Sequence, residues 1–82
     1  MNKEELIEKL KSIVEPYVQD QDSYQNLTEQ TDFINDLKIN SANLVDIVLD
    51  VEDAFDIEID NESMEKMLTV ANAVEIIQEK LS

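Results

Sequence analysis

The side chains in this sequence that could do chemistry are carboxylates and hydroxyls. The 82 residues include 20 Asp and Glu but no His and no Cys. The chain therefore lacks the usual general base near neutral pH, the thiolate nucleophile and the commonest metal ligand. A Ser–His or Cys–His catalytic pair, a disulfide framework and a thiolate metal site are all excluded.

Carboxylates alone could bind calcium or hydrolyse glycosides. Acids alternate from Asp56 to Glu62, but an EF-hand loop starting at Asp56 would need Gly at its sixth position and Glu at its twelfth. Asn61 and Met67 stand there instead. Glycoside hydrolysis needs two carboxyl groups at a set separation in a cleft, and so short a chain buries only about 60–65% of its surface. We expect weak ion association at most, and a protein that is not an enzyme.

Negative charge is the strongest compositional feature. Six Lys and no Arg leave a formal charge of −14, which would repel nucleic acids and anionic membranes. We therefore expect neither nucleic-acid binding nor stable membrane association. Between Ile39 and Glu65 there is no basic residue but many acids. Acidity could simply maintain solubility, but such segregation favours a recognition surface for a partner with a basic patch.

The chain reads as one all-α domain over residues 1–82. Gly is absent and Pro16 is the only Pro, so helical content should be high. Apolar spacing predicts a helix up to about Pro16, a second over 41–55, a short third over 62–67 and a last helix capped by Thr69. Together they predict a small four-helix bundle of three longer helices and one short one. Residues 19–32 read as a loop anchored by Leu27 and Phe33.

The second predicted helix has two distinct sides. Ile47, Val51 and Phe55 share the side that should face the core, whereas Val45 and Leu49 fall well off it. Acidic neighbours surround this second pair on the helical wheel, at Asp46, Glu52, Asp53 and Asp56. An apolar ridge among acids suits a docking surface. The alternative is that the thin bundle tucks both side chains under a neighbouring segment.

The stretch DLKINSANLVDIVLDVEDAFDIEI, followed by ESMEKMLTVANAVEII, resembles an acyl carrier protein over residues 33–77. The resemblance implies that a phosphopantetheinyl transferase attaches 4′-phosphopantetheine from coenzyme A to Ser41. The thiol of that arm would hold an acyl group as a thioester. A phosphodiester suits a helix N-terminus, but Ser is also a favoured N-cap residue, so Ser41 could instead be an ordinary cap.

The same resemblance assigns the partner surface. It implies docking of acyl-loading, ketosynthase-type and other acyl-processing enzymes through basic patches, and we expect a monomer. The N-terminal residues resemble neither a secretory signal nor a membrane span, so we expect a cytoplasmic protein. Met64 would lie near the arm and its cargo, although core filling is an equal alternative. The partner-binding positions implied are Val45, Asp46, Leu49, Glu52, Asp53 and Met64.

The chain departs from the family pattern around Ser41. Asn40 and Ala42 flank this serine where the family has Asp and Leu, and Asn43 replaces an acid that often follows. Lys38 stands in place of Gly, so we expect an ordinary backbone conformation there. These changes favour a carrier of a specialised fatty-acid or polyketide-type pathway. They leave open an unmodified acidic adaptor, or a nucleic-acid mimic, with a carrier-like fold.

Overall fold

The computed structural model describes residues 2–81, and 66% of the chain is helical. The predicted all-α bundle with three longer helices is confirmed. No helix within the described range is both long and apolar enough to cross a membrane. The α-helices are α1 (Lys3–Val14), α2 (Gln21–Gln25), α3 (Leu44–Phe55), α4 (Asn61–Lys66) and α5 (Val70–Leu81), with 3₁₀ turns at Glu15–Tyr17 and Ser41–Asn43.

The core lies between the three longer helices. Helix α1 packs against both α3 and α5. Leu6, Ile47 and Ile77, one from each helix, are fully buried. Side chains cap two of these helices. The Asn2 side chain accepts a hydrogen bond from the Glu5 N–H at 2.9 Å, and the hydroxyl of Thr69, the predicted cap, accepts one from the Asn72 N–H at 3.2 Å. Apolar periodicity and capping together determine this frame.

The segment predicted as a loop contains the additional short helix α2. Asp20 caps it by accepting a hydrogen bond from the Ser23 N–H at 3.2 Å. Helix α2 has only five residues and none is fully buried, so it has no apolar period that a sequence could reveal. The anchors behave as expected, because Phe33 is buried and Leu27 packs half-buried against the core.

Residues 28–33 form backbone hydrogen bonds with the residues at the start of α5. The Phe33 N–H donates to the Leu68 carbonyl at 3.0 Å, and the Val70 N–H donates to the Thr31 carbonyl at 3.0 Å. Because these backbone bonds link segments far apart in the chain, they fix the long connection against the bundle. The residues that lead into α3 thereby gain a rigid support.

Lys38 adopts a left-handed backbone conformation, with φ of 60°, so the expectation of an ordinary conformation is wrong. The neighbours explain why. Leu37 and Ile39 are both buried, and the Ile39 N–H donates to the Phe33 carbonyl at 3.1 Å. The chain must therefore turn within one residue between two anchors. A side chain at such a position costs about 1–2 kcal/mol relative to a right-handed conformation.

Helix α4 is short and lightly held. None of its residues is fully buried, and the Asp60 side chain caps it by accepting a hydrogen bond from the Ser63 N–H at 2.7 Å. This bond, helped by Lys80 at 4.0 Å, lowers the pKa of Asp60 below its ordinary value of 3.8. The cap is therefore strongest when Asp60 is ionised.

We predict that the contribution of Asp60 to stability is lost in acid. A carboxyl group whose pKa is lowered by folding stabilises the fold above its unfolded pKa, and this contribution disappears as the pH falls through the folded pKa. Asp60→Asn should therefore be less stable than the charge-matched Glu75→Gln at neutral pH. Urea unfolding from about pH 6 to pH 2.5 should show this gap closing below about pH 4. A gap that stays constant with pH would contradict the assignment.

Candidate functional site

Ser41 begins a 3₁₀ turn that leads directly into α3. The residue is exposed, and its carbonyl accepts a hydrogen bond from the Leu44 N–H. Buried Ile39 fixes the chain two residues earlier, and buried Ile47 fixes α3 one turn and a half later. The backbone at Ser41 is therefore held in place while its side chain faces solvent.

Asn40, not Ser41, caps this turn. The Asn40 side-chain oxygen accepts a hydrogen bond from the Ala42 N–H at 2.9 Å, and the Asn40 carbonyl accepts one from the Asn43 N–H at 2.8 Å. The alternative role of Ser41 as a cap is thus taken by its neighbour. Because Asn and Ser are equally good N-caps, the sequence could not place the cap to within one residue.

The Ser41 hydroxyl and backbone N–H have no hydrogen-bond partner within residues 2–81. Attaching a phosphodiester to this oxygen would therefore break no internal hydrogen bond. The unpaired N–H and the positive end of the helical stretch 41–55 would favour its negative charge. The residues present fit a phosphate-linked arm, and its attachment to Ser41 stays a prediction.

The two apolar residues that the helical wheel sets apart lie on the surface. Val45 is 50% exposed and Leu49 is 54% exposed, so neither is tucked under a neighbouring segment. Asp46 and Asp53, on the same helix, are also exposed. We call these four residues, Val45, Asp46, Leu49 and Asp53, the α3 face. It places exposed apolar area beside exposed negative charge, a combination that suits a docking surface.

Glu52 differs from the acids of the α3 face because its carboxylate is engaged within the chain. It accepts a hydrogen bond from the Ile59 N–H at 2.7 Å in a partly buried site. The Glu52 carbonyl also accepts from the Ile57 N–H at 3.1 Å. Glu52 therefore holds the connection to α4 against the end of α3, a role that sequence reasoning missed.

Two other apolar residues lie in α4 or directly after it. Met64 on α4 is half-buried and packs against the core, as its core-filling alternative requires. Leu68, between α4 and α5, is 49% exposed and was not singled out from the sequence, since its neighbours give no periodic signal.

Within residues 2–81, no three Asp or Glu side chains cluster so that they could hold a metal ion. Of the alternating acids from Asp56 to Glu62, Asp60 is used in local structure, since it caps α4. The nearby Glu52 accepts a hydrogen bond from the Ile59 N–H.

Comparison with known proteins gives close relatives over nearly the whole chain. It is 39% identical over 79 residues to the acyl carrier protein of Lactobacillus acidophilus, covering 95% of both chains. It is 40% identical over 83 residues to that of Petrotoga mobilis, covering 100% of this chain and 94% of the relative. The structure of the acyl carrier protein from Enterococcus faecalis matches with a TM-score of 0.78 and 31% identity, over 98% of this chain and 99% of that one. No family model matches the chain.

We predict that Asn40 and Ser41 differ in their effects on stability. Asn40→Ala removes the cap and should cost about 1 kcal/mol of unfolding free energy. Ser41→Ala removes no hydrogen bond and should change it by less than about 0.5 kcal/mol. Urea unfolding followed by circular dichroism measures both. A larger loss for Ser41→Ala than for Asn40→Ala would contradict the assignment of the cap.

Proposed function

This chain belongs to the acyl carrier protein family, and we propose that it holds its acyl intermediates on an arm attached to Ser41. Members of this family carry a covalently bound 4′-phosphopantetheine and are carriers, not enzymes. When bound, the arm supplies a terminal thiol that holds the acyl group as a thioester.

The observation that carries the assignment to Ser41 is its unengaged, exposed hydroxyl on a fixed backbone. The residues on either side leave it in this state, because Asn40 takes the cap and Ile39 is buried. Within residues 2–81 no carboxylate or other base hydrogen-bonds the Ser41 hydroxyl, and an alcohol is a weak nucleophile without a base beside it. The transferase must therefore supply the base that takes the Ser41 proton, while this chain supplies only position.

We propose that the apolar cargo shelters between α3 and α4 and can swing out to a partner. The weak hold on α4 supports this, since α4 has no fully buried residue and Met64 is only half-buried. Separating α4 from α3 would cost little apolar burial compared with separating any two of the longer helices, as long as Met67, buried directly after α4, stays in place. Glu52 would limit that movement by keeping the connection at Ile59 in place.

We further propose that the α3 face is where acyl-loading, ketosynthase-type and other acyl-processing enzymes dock through basic patches. Exposed charges of one sign speed encounter and make it sensitive to salt. The net charge of −14 opposes self-association, which supports a monomer acting with successive partners in the cytoplasm. The neutral Asn40 and Asn43 beside Ser41 support a dedicated pathway with its own transferase.

Incubation with coenzyme A and a panel of phosphopantetheinyl transferases tests the attachment. Intact mass should rise by the mass of the phosphopantetheinyl group in the natural sequence and stay unchanged in Ser41→Ala, because only Ser41 should react. Ser63→Ala, which removes another hydroxyl near a helix start, is the matched control and should still be loaded. Failure of every enzyme to load the natural sequence would favour the unmodified adaptor.

Charge reversal tests the α3 face. Asp46→Lys should lower kcat/KM for loading by roughly 3- to 10-fold at low ionic strength, since it removes steering charge beside Ser41. Glu75→Lys makes the same charge change at an exposed position on α5 and should have a smaller effect. Asp46 is a cleaner target than Glu52, whose carboxylate also stabilises the fold. Equal effects of the two reversals would contradict the docking assignment.

A further inference from the structure

Five of the six lysines have a partner within the described part of the chain. Three form ion pairs with carboxylates and two lie over aromatic rings. The pairs are Lys3 with Glu29, Lys66 with Glu62 at 3.7 Å, Lys80 with Asp60 at 4.0 Å, Lys9 with the Phe55 ring at 5.1 Å and Lys11 with the Tyr24 ring at 5.4 Å. Lys38 alone has no such partner among residues 2–81.

The isolation of Lys38 is not caused by a lack of acids nearby. Asp36 is two residues away, and its carboxylate accepts a hydrogen bond from the Asp32 N–H at 2.8 Å. Asp20 is also close, because its N–H donates to the Leu37 carbonyl at 3.1 Å. Neither carboxylate pairs with Lys38, which remains exposed.

The backbone at Lys38 is fixed and lies close to Ser41. Leu37 and Ile39 on either side are buried, so the Lys38 Cα can move little. Three residues span at most about 10 Å, which limits the distance between the Lys38 and Ser41 Cα atoms. A lysine has a flexible four-carbon stem, and the Lys38 and Ser41 residues are both exposed. The two charges can therefore meet without rearrangement of the bundle.

We infer that Lys38 is a positioning residue whose ammonium group pairs with the phosphodiester attached to Ser41; this inference rests on the proposed function. No covalent step is involved. The pair gives Lys38 a partner and neutralises locally the negative charge that the phosphodiester adds to a chain of net charge −14. It also restricts rotation about the first bonds of the arm, so that the phosphate, from which the rest of the arm extends, has a more defined position.

Nuclear magnetic resonance of the lysine ammonium groups provides a direct test. Intact mass first establishes that the protein is loaded. On loading, the Lys38 ammonium signal should shift and exchange more slowly with water, while the signal of Lys66, which already has a carboxylate partner, should not. An unmoved Lys38 signal in fully loaded protein would overturn this inference and leave the proposed function standing. Absence of mass addition under all conditions would overturn both.

Variants at position 38 separate charge from backbone strain. The quantity measured is the ratio of the unfolding equilibrium constants of loaded and unloaded protein. If the pair forms, Lys38→Ala and Lys38→Gly should each raise this ratio by about 2- to 5-fold, the range for exposed ion pairs, because only the loaded protein loses an interaction. Lys38→Arg should restore the natural ratio, and Lys66→Ala, a matched loss of charge, should leave it unchanged.

Lys38→Gly also reports on the backbone. It should stabilise the unloaded protein relative to Lys38→Ala, because Gly adopts a positive φ without the clash of a Cβ. A purely structural role for Lys38 would shift the loaded and unloaded proteins equally. If each of the four variants changes the unfolding free energy of the loaded and the unloaded protein by the same amount, the inference is overturned.

Discussion

The hydrogen bond from the Ala42 N–H to the Asn40 side chain is the interaction on which the site depends. A helix start needs a cap, and Ser41 would be well suited to provide it. Because Asn40 provides the cap, the Ser41 oxygen makes no internal bond and remains exposed. The buried side chains of Leu37 and Ile39 fix the backbone just ahead of it. A free hydroxyl on a rigid support is what an attachment site requires.

The bundle consists of three helices that share a core and one short helix, α4, that is weakly packed. Helices α1, α3 and α5 share the core, whereas α4 contributes no fully buried residue. Two hydrogen bonds restrict the movement of α4. Before the helix, the Glu52 carboxylate accepts one from the Ile59 N–H, and after it, the Leu68 carbonyl accepts one from the Phe33 N–H. Fixed ends with a weakly packed middle allow local opening at a small fraction of the global unfolding free energy. A carrier that must shelter and release an apolar chain can use such an element.

Features that depend on local pattern were predictable from sequence. The core side of α3, the exposed Val45 and Leu49, and the Thr69 cap follow from helical periodicity and residue type. Features that depend on contacts between distant segments were not. The left-handed Lys38 results from two buried neighbours, and the Glu52–Ile59 bond requires the chain to reverse at Asp56, which has φ of 55°. Helix α2 is too short and too polar to leave a periodic signal.

The central claim is that the Ser41 oxygen is the point to which the prosthetic arm is joined. The most direct measurement is tandem mass spectrometry of the protein isolated from its native cells, with the peptide that contains Ser41 sequenced by fragmentation. We expect part or all of this peptide to carry the phosphopantetheinyl mass on Ser41, with or without an acyl group on the thiol. If the peptide always has its bare amino-acid mass while the cell's transferase is active, or if the added mass is on another residue, the claim is wrong.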